Sequence, residues 1–286
     1  MGLRERICRD VDGPVGHVSE ALGRVAPPNA SAPPLVLQFG VFGGRTLRTL
    51  ARAALAAAPT GPAAVLYGFD SFVGLPAEAA GNRIAHDWHR GAFAATTRTR
   101  NDTVARARTR AAMRAIAKQT PGDVRLVPGF YDESLTHARG RAVARHGTAT
   151  YIDVDCDLYV STARALDWAF GAGLVGVGTM IGYDDWWVLP CTTPGFGGTS
   201  IETLGGEARA HFEIARKYAV SFECVCGPCT GAANLSHGWR TYFVVRNGSG
   251  ADAGFAMDAS AVGRFLATNA ACVAHRTRRH VARWVA

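Results

Sequence analysis

Lysine is almost absent from this 286-residue chain, whose positive charge rests on arginine with Lys118 and Lys217 as the exceptions. The formal net charge is +8, a sign that suits a polyanionic partner. The arginines are nevertheless dispersed through an Ala- and Gly-rich sequence, and the denser stretches, 98–118 and 275–283, read as solvated helix faces. Nucleic acid is therefore not an expected partner. Also lacking is any apolar run near the ~20 residues that a membrane-spanning helix needs, so no membrane association is expected. The opening MGLRERICRDVDG has no apolar core, which argues against a secretory signal and for a cytoplasmic location. The seven cysteines are odd in number and come without such a signal, so no disulfide framework is expected. Cys224, Cys226 and Cys229 do cluster, with Cys191 or His237 as a conceivable fourth metal ligand. No second paired motif accompanies them, and ordinary thiols at a strand end are the preferred reading.

Repeats and low-complexity linkers are missing too, which favours one core domain. Residues 1–34 read as a helical region over 3–24 followed by a Pro-rich linker, and 35–286 as the domain itself. The N-terminal helices could contact a second copy, so a homo-oligomer is a possible assembly. Within the domain, short apolar runs alternate with helical segments. Strands are expected at 35–39, 64–69, 124–127, in the stretch 151–162 ending in its aspartates, and at 174–183, with helices at 45–58, 103–118, 161–172 and 206–218 between or after them. The segments 220–226 and 241–245 read as a terminal antiparallel pair, before a basic C-terminal helix. The class is α/β: a doubly wound, mostly parallel seven-stranded sheet that binds ligands at the carboxyl ends of its strands.

The chemistry concentrates in YIDVDCDLYVST, residues 151–162, where Asp153, Asp155 and Asp157 close a strand. Asp184 and Asp185 close the next apolar run. Carboxylates crowded at two neighbouring strand ends repel one another unless a cation or a proton-transfer task compensates, and an all-oxygen set suits a hard cation. The turn Gly40-Val-Phe-Gly43-Gly44 after the first strand departs from the dinucleotide spacing. It suits a smaller anionic group, such as an amino-acid carboxylate, at the start of the following helix. Asp70, ending the second strand, stands where an acid accepts two hydrogen bonds from a ribose diol. Together these two features point to a nucleoside ligand.

Taken in order, LQFGVFGGRTL, YGFDSFVGLP, LVPGFYDESL, DVDCDLYVST and GYDDW resemble the class I S-adenosylmethionine-dependent methyltransferases of the macrocin O-methyltransferase family. The resemblance spans roughly residues 35–220. It implies a Rossmann-like methyltransferase fold and methylation, with magnesium, of a hydroxyl on a sugar or natural-product glycoside. It further implies that Gly40 and Gly43 hold the methionine part of the cofactor, and that Asp70, with Ser71 and Phe72, holds the ribose. Gly129 and Phe130 would lie near the cofactor, Asp155, Asp184 and Asp185 would bind the metal, and Asp157 would be the general base. Gln38, Cys156 and Asp153 depart from the family pattern, where Glu, Gly and no acid are common. Trp186 and Trp187 read equally as acceptor contacts or core, and His86, Trp88 and His89 as parts of a loop over the site. Two other readings compete: a metal-dependent glycosyltransferase using the Asp-x-Asp motif, and a basic nucleic-acid-binding or RNA-modifying protein.

Overall fold

The computed structural model describes residues 33–57, 61–96, 102–193, 204–226 and 240–247. The expected N-terminal helices, most of the linker, Cys229, His237 and the basic C-terminal helix lie outside the described residues. Seven strands form one sheet: β1 (Leu35–Phe39), β2 (Val65–Asp70), β3 (Asp123–Pro128), β4 (Ala149–Val154), β5 (Met180–Tyr183), β6 (Val220–Cys226) and β7 (Thr241–Asn247). The order is β3-β2-β1-β4-β5-β7-β6. The first five strands pair in parallel, and β7 runs antiparallel between β5 and β6. The expected terminal pair is therefore present, with the later strand inserted beside β5.

All five residues of β1 are buried, because both faces of the sheet are covered. Successive side chains alternate between the faces. Leu35, Leu37 and Phe39 join the cluster that holds Ala165 and Leu166 of α5 (Tyr159–Gly171) and Ala215 of α7 (Gly206–Tyr218). Val36 joins Leu47 and Leu50 of α1 (Arg45–Ala57) on the other side. The remaining helices are α2 (Asp102–Gln119), two short ones after β3, α3 (Tyr131–Ser134) and α4 (His137–Ala144), and α6 (Val188–Thr192). No helix among the described residues is long and apolar enough to cross a membrane.

Two expectations need correction. The fifth strand is four residues long rather than the whole of 174–183. Ahead of it the chain turns: Thr179 Oγ1 accepts from the Gly176 amide at 3.1 Å and donates to the Ala149 carbonyl at 2.7 Å, which closes a loop in place of a strand. The cysteine reading also changes, since Cys191 and Cys224 are disulfide-bonded. Both lie in the same apolar cluster. Cys191 is thus not a thiolate available to a metal.

Trp186 and Trp187 are fully buried and belong to the core. Trp186 packs with Tyr183, Phe243 and His211 at ring distances of 5.1, 4.9 and 5.1 Å. His211 is itself buried and its Nδ1 meets the Tyr183 hydroxyl at 2.9 Å. Burial pushes its pKa down to about 3. The imidazole is neutral in the fold but takes a proton in the unfolded chain below about 6.5, so its contribution to stability is present above that pH and declines as pH falls toward 3. From pH 7 to pH 5 the decline is about 2 kcal/mol. Urea unfolding of His211→Phe at both pH values should show a pH dependence smaller by that amount than wild type; identical pH dependences would contradict a neutral buried imidazole.

Candidate active site

Because β1, β2, β4 and β5 end side by side, the turns that leave them line one cavity of about 600 Å³. At the centre is Gly40. Its φ is +92°, and a side chain at that position would overlap the carbonyl oxygen of Asp155. Only glycine fits, so the turn after β1 lies directly against the turn after β4. Gly43 faces open space. Asp70 pins the glycine turn: its Oδ2 accepts from the amides of Val41 and Phe42, each at 2.7 Å, and its Oδ1 from the Phe72 amide at 2.5 Å. Burial raises its pKa, against the opposing pull of the three amides. A carboxylate offers about four acceptor positions, so roughly one remains for a ligand hydroxyl where the sequence suggested two.

Ser71, Gly129 and Phe130 line the same cavity. Ser71 Oγ is partly committed, donating to the Gly74 carbonyl at 2.8 Å and accepting from the Val73 amide at 3.1 Å. Phe72 is not among the lining residues. Its ring is buried in the apolar cluster on the α1 side, so only its backbone serves the site. Of the loop residues, Trp88 lines the cavity and packs with Leu158 and Leu189, whereas His86 and His89 are exposed and do not.

The acids converge as the strand ends require. The Asp155 amide donates to the Phe39 carbonyl at 2.8 Å and the Asp184 amide to the Val154 carbonyl at 2.9 Å, which extends the ladder by one step on each side. One carboxylate oxygen from each of Asp155, Asp184 and Asp185 then lies within 4.8 Å of the others. Burial, then the charge of Asp184, pushes Asp155 well above the usual carboxylate range. Asp185 rises likewise, from burial and then Asp157. Asp157 is pushed up to about 7 by burial and by Asp155. Its φ is +62°, and the Leu158 amide closes back on the Cys156 carbonyl at 2.6 Å, a γ-turn centred on Asp157. That turn costs on the order of 1–3 kcal/mol and aims the carboxylate at the cavity rather than along the helix.

Sequence reasoning missed three supporting residues. Arg240, just before β7, pairs with Asp184 and reaches Asp153 Oδ1 at 3.7 Å. Asp153 is fully buried, receives the Tyr151 hydroxyl at 3.1 Å, and is pushed up to about 6 by burial against the pull of Arg240. Glu207, at the start of α7, accepts the Asp185 amide at 2.9 Å. Glu78 caps α5 from the loop, accepting the Tyr159 and Val160 amides at 2.7 and 3.2 Å. The helix N-cap is Leu158, whose side chain makes no cap, so neither Asp157 nor Ser161 fills that role. None of the three has a local signal. Each acts across a contact that exists only once the sheet is assembled.

A mostly parallel sheet of this order, with a glycine turn after β1, an acid after β2 and an acid cluster after β4 and β5, is a Rossmann-like arrangement with its cavity at the carboxyl ends of the strands. The family model of the macrocin O-methyltransferases (TylF) matches residues 17–193, more than half of the chain. The chain belongs to that family and is an S-adenosylmethionine-dependent O-methyltransferase. Among solved structures, the calicheamicin methyltransferase CalS11 is 19% identical, with a TM-score of 0.51 over 80% of this chain and 76% of its own. The O-methyltransferase NovP is 18% identical, with a TM-score of 0.49 over 82% and 79%. The SAH-bound methyltransferase PaMTH1 of Podospora anserina is 12% identical, with a TM-score of 0.41 over 82% and 78%. No curated protein matches the chain.

Loss of the α5 cap should be measurable alone. Glu78→Ala should lower unfolding free energy by about 1 kcal/mol. An unchanged urea midpoint would show that the cap contributes nothing.

Proposed function

We propose that this enzyme methylates a hydroxyl of a sugar or natural-product glycoside, using a divalent cation held by Asp155, Asp184 and Asp185. The supporting observation is the convergence of those three carboxylates, within 4.8 Å of one another, in the wall of the cavity. So many acids at that spacing are costly without a compensating charge, and Arg240 supplies part of it by pairing with Asp184. The all-oxygen donor set fits magnesium. Such a cation, when bound, supplies the charge that lowers the pKa of a hydroxyl. S-adenosylmethionine supplies the methyl group on its sulfonium.

The residues of the chain then divide the work. Gly40, Gly43 and Asp70, with Ser71, Gly129 and Phe130, hold the cofactor across the ends of β1, β2 and β3. Asp157 takes the proton of the acceptor hydroxyl, its carboxylate held by the strained turn at the cavity floor. In-line attack needs the two reactants close and aligned, and the Gly40–Asp155 contact brings their binding sites side by side. At the rim, Phe42 and Phe93 pair edge to face at 6.5 Å and remain about half exposed, at 53% and 45%, a surface suited to the apolar part of a glycoside. Family membership supports the glycoside acceptor. Metal-dependent glycosyl transfer and nucleic-acid modification have no comparable support.

Asp157→Ala should reduce turnover by roughly 100-fold or more while S-adenosylhomocysteine affinity, measured by calorimetry, stays unchanged. Wild-type turnover in that variant would remove Asp157 from the reaction. Excess chelator should stop methyl transfer without releasing bound S-adenosylhomocysteine, and continued transfer would defeat the cation assignment.

A further inference from the structure

We infer that Glu207 is a positioning residue for the cation site, fixing the backbone of the proposed ligand Asp185. The inference rests on the divalent-cation reading given above.

Glu207 is 1% exposed, a place where a carboxylate needs a reason to be. One oxygen has its partner, the Asp185 amide at 2.9 Å. The other, Oε1, is buried with no hydrogen-bond partner. An unpartnered buried acceptor costs on the order of 1–3 kcal/mol, more when charged, so a core helix gains nothing from keeping it. Its bonded oxygen ties it to Asp185, one of the three proposed ligands, without its belonging to the convergent set.

The chain is built to bring it there. The N-cap of α7, Gly205, offers no side-chain cap, and Gly206 follows with φ +60°. A side chain at Gly206 would come within 3.1 Å of Leu189 and 3.8 Å of the Asp157 carbonyl, so the helix starts hard against the turn that carries the proposed base. Glu207 occupies the first helical turn, where the helix dipole favours an anion. Its bond to the Asp185 amide fixes the backbone from which a ligand carboxylate projects. Groups that orient metal ligands in this way typically change affinity by 10–100-fold when removed.

Manganese binding, followed by electron paramagnetic resonance with no substrate present, tests the inference apart from turnover. Glu207→Ala should weaken Mn2+ affinity by at least about 10-fold while leaving S-adenosylhomocysteine affinity unchanged. Glu207→Gln keeps an acceptor for the Asp185 amide but not the charge, and should recover part of that loss; it also serves if the alanine variant fails to fold. Unchanged Mn2+ affinity in Glu207→Ala, or in Glu207→Gln where the alanine variant fails to fold, would make Glu207 a structural residue and overturn the inference. Asp185→Asn serves as the ligand control. If wild type itself bound no Mn2+, the cation reading would fall and this inference with it. If wild type and Asp185→Asn differed but Glu207→Ala matched wild type, only the role of Glu207 would fall.

Discussion

Mutual repulsion among crowded carboxylates, buried or half-buried, is the constraint that the rest of this structure answers. Asp153, Asp155, Asp157, Asp184, Asp185 and Glu207 crowd the ends of β4 and β5, and burial raises the pKa of five of them. In a low-dielectric setting such a group is tolerable only with paired charge and satisfied hydrogen bonds. The inserted strand β7 meets part of that need. Pairing β7 against β5 carries Arg240 to Asp184, and the same guanidinium reaches toward Asp153 beneath. A sheet ending at β5 would have left the acids without that arginine.

A second set of contacts holds the loop after β2 over the cavity. Glu78 caps α5, and Arg209 of α7 donates to Asn82 at 2.7 Å while pairing with Glu213 at 2.9 Å. Glu213 in turn accepts the Tyr159 hydroxyl at 2.5 Å. The loop is thus fastened to the two helices that flank Asp157. An acid from outside the helix satisfies the first-turn amides of α5, which frees Asp157, two residues ahead of that helix, from capping duty.

Much of this was readable in the sequence, for physical reasons. The strand runs were legible because strands buried on both faces lack alternation and read as continuous apolar segments. The cavity acids were legible because Asp155 and Asp184 immediately follow such runs. Phe72 looked like a cofactor residue only because it adjoins Asp70; its turn sends the ring into the core instead. The fifth strand was overestimated because its apolar pattern continues through a turn closed by Thr179. Arg240, Glu207 and Glu78 stayed hidden because long-range charge pairs and side-chain bonds to distant amides leave no periodic trace. The disulfide state of Cys191 and Cys224 was likewise invisible, since a count of cysteines says nothing about which ones meet.

The absence of a side chain at Gly40 has a wider meaning. In the cavity the turns after β1 and β4 meet main chain to main chain, with the Asp155 carbonyl against Gly40. The spacing between them is a main-chain dimension that side-chain substitution cannot tune. Variation is left to the outer rim, where Phe42, Phe93 and the loop after β2 meet solvent. Substitution can therefore reshape the outer rim of the cavity, with the distance between these two turns inherited intact.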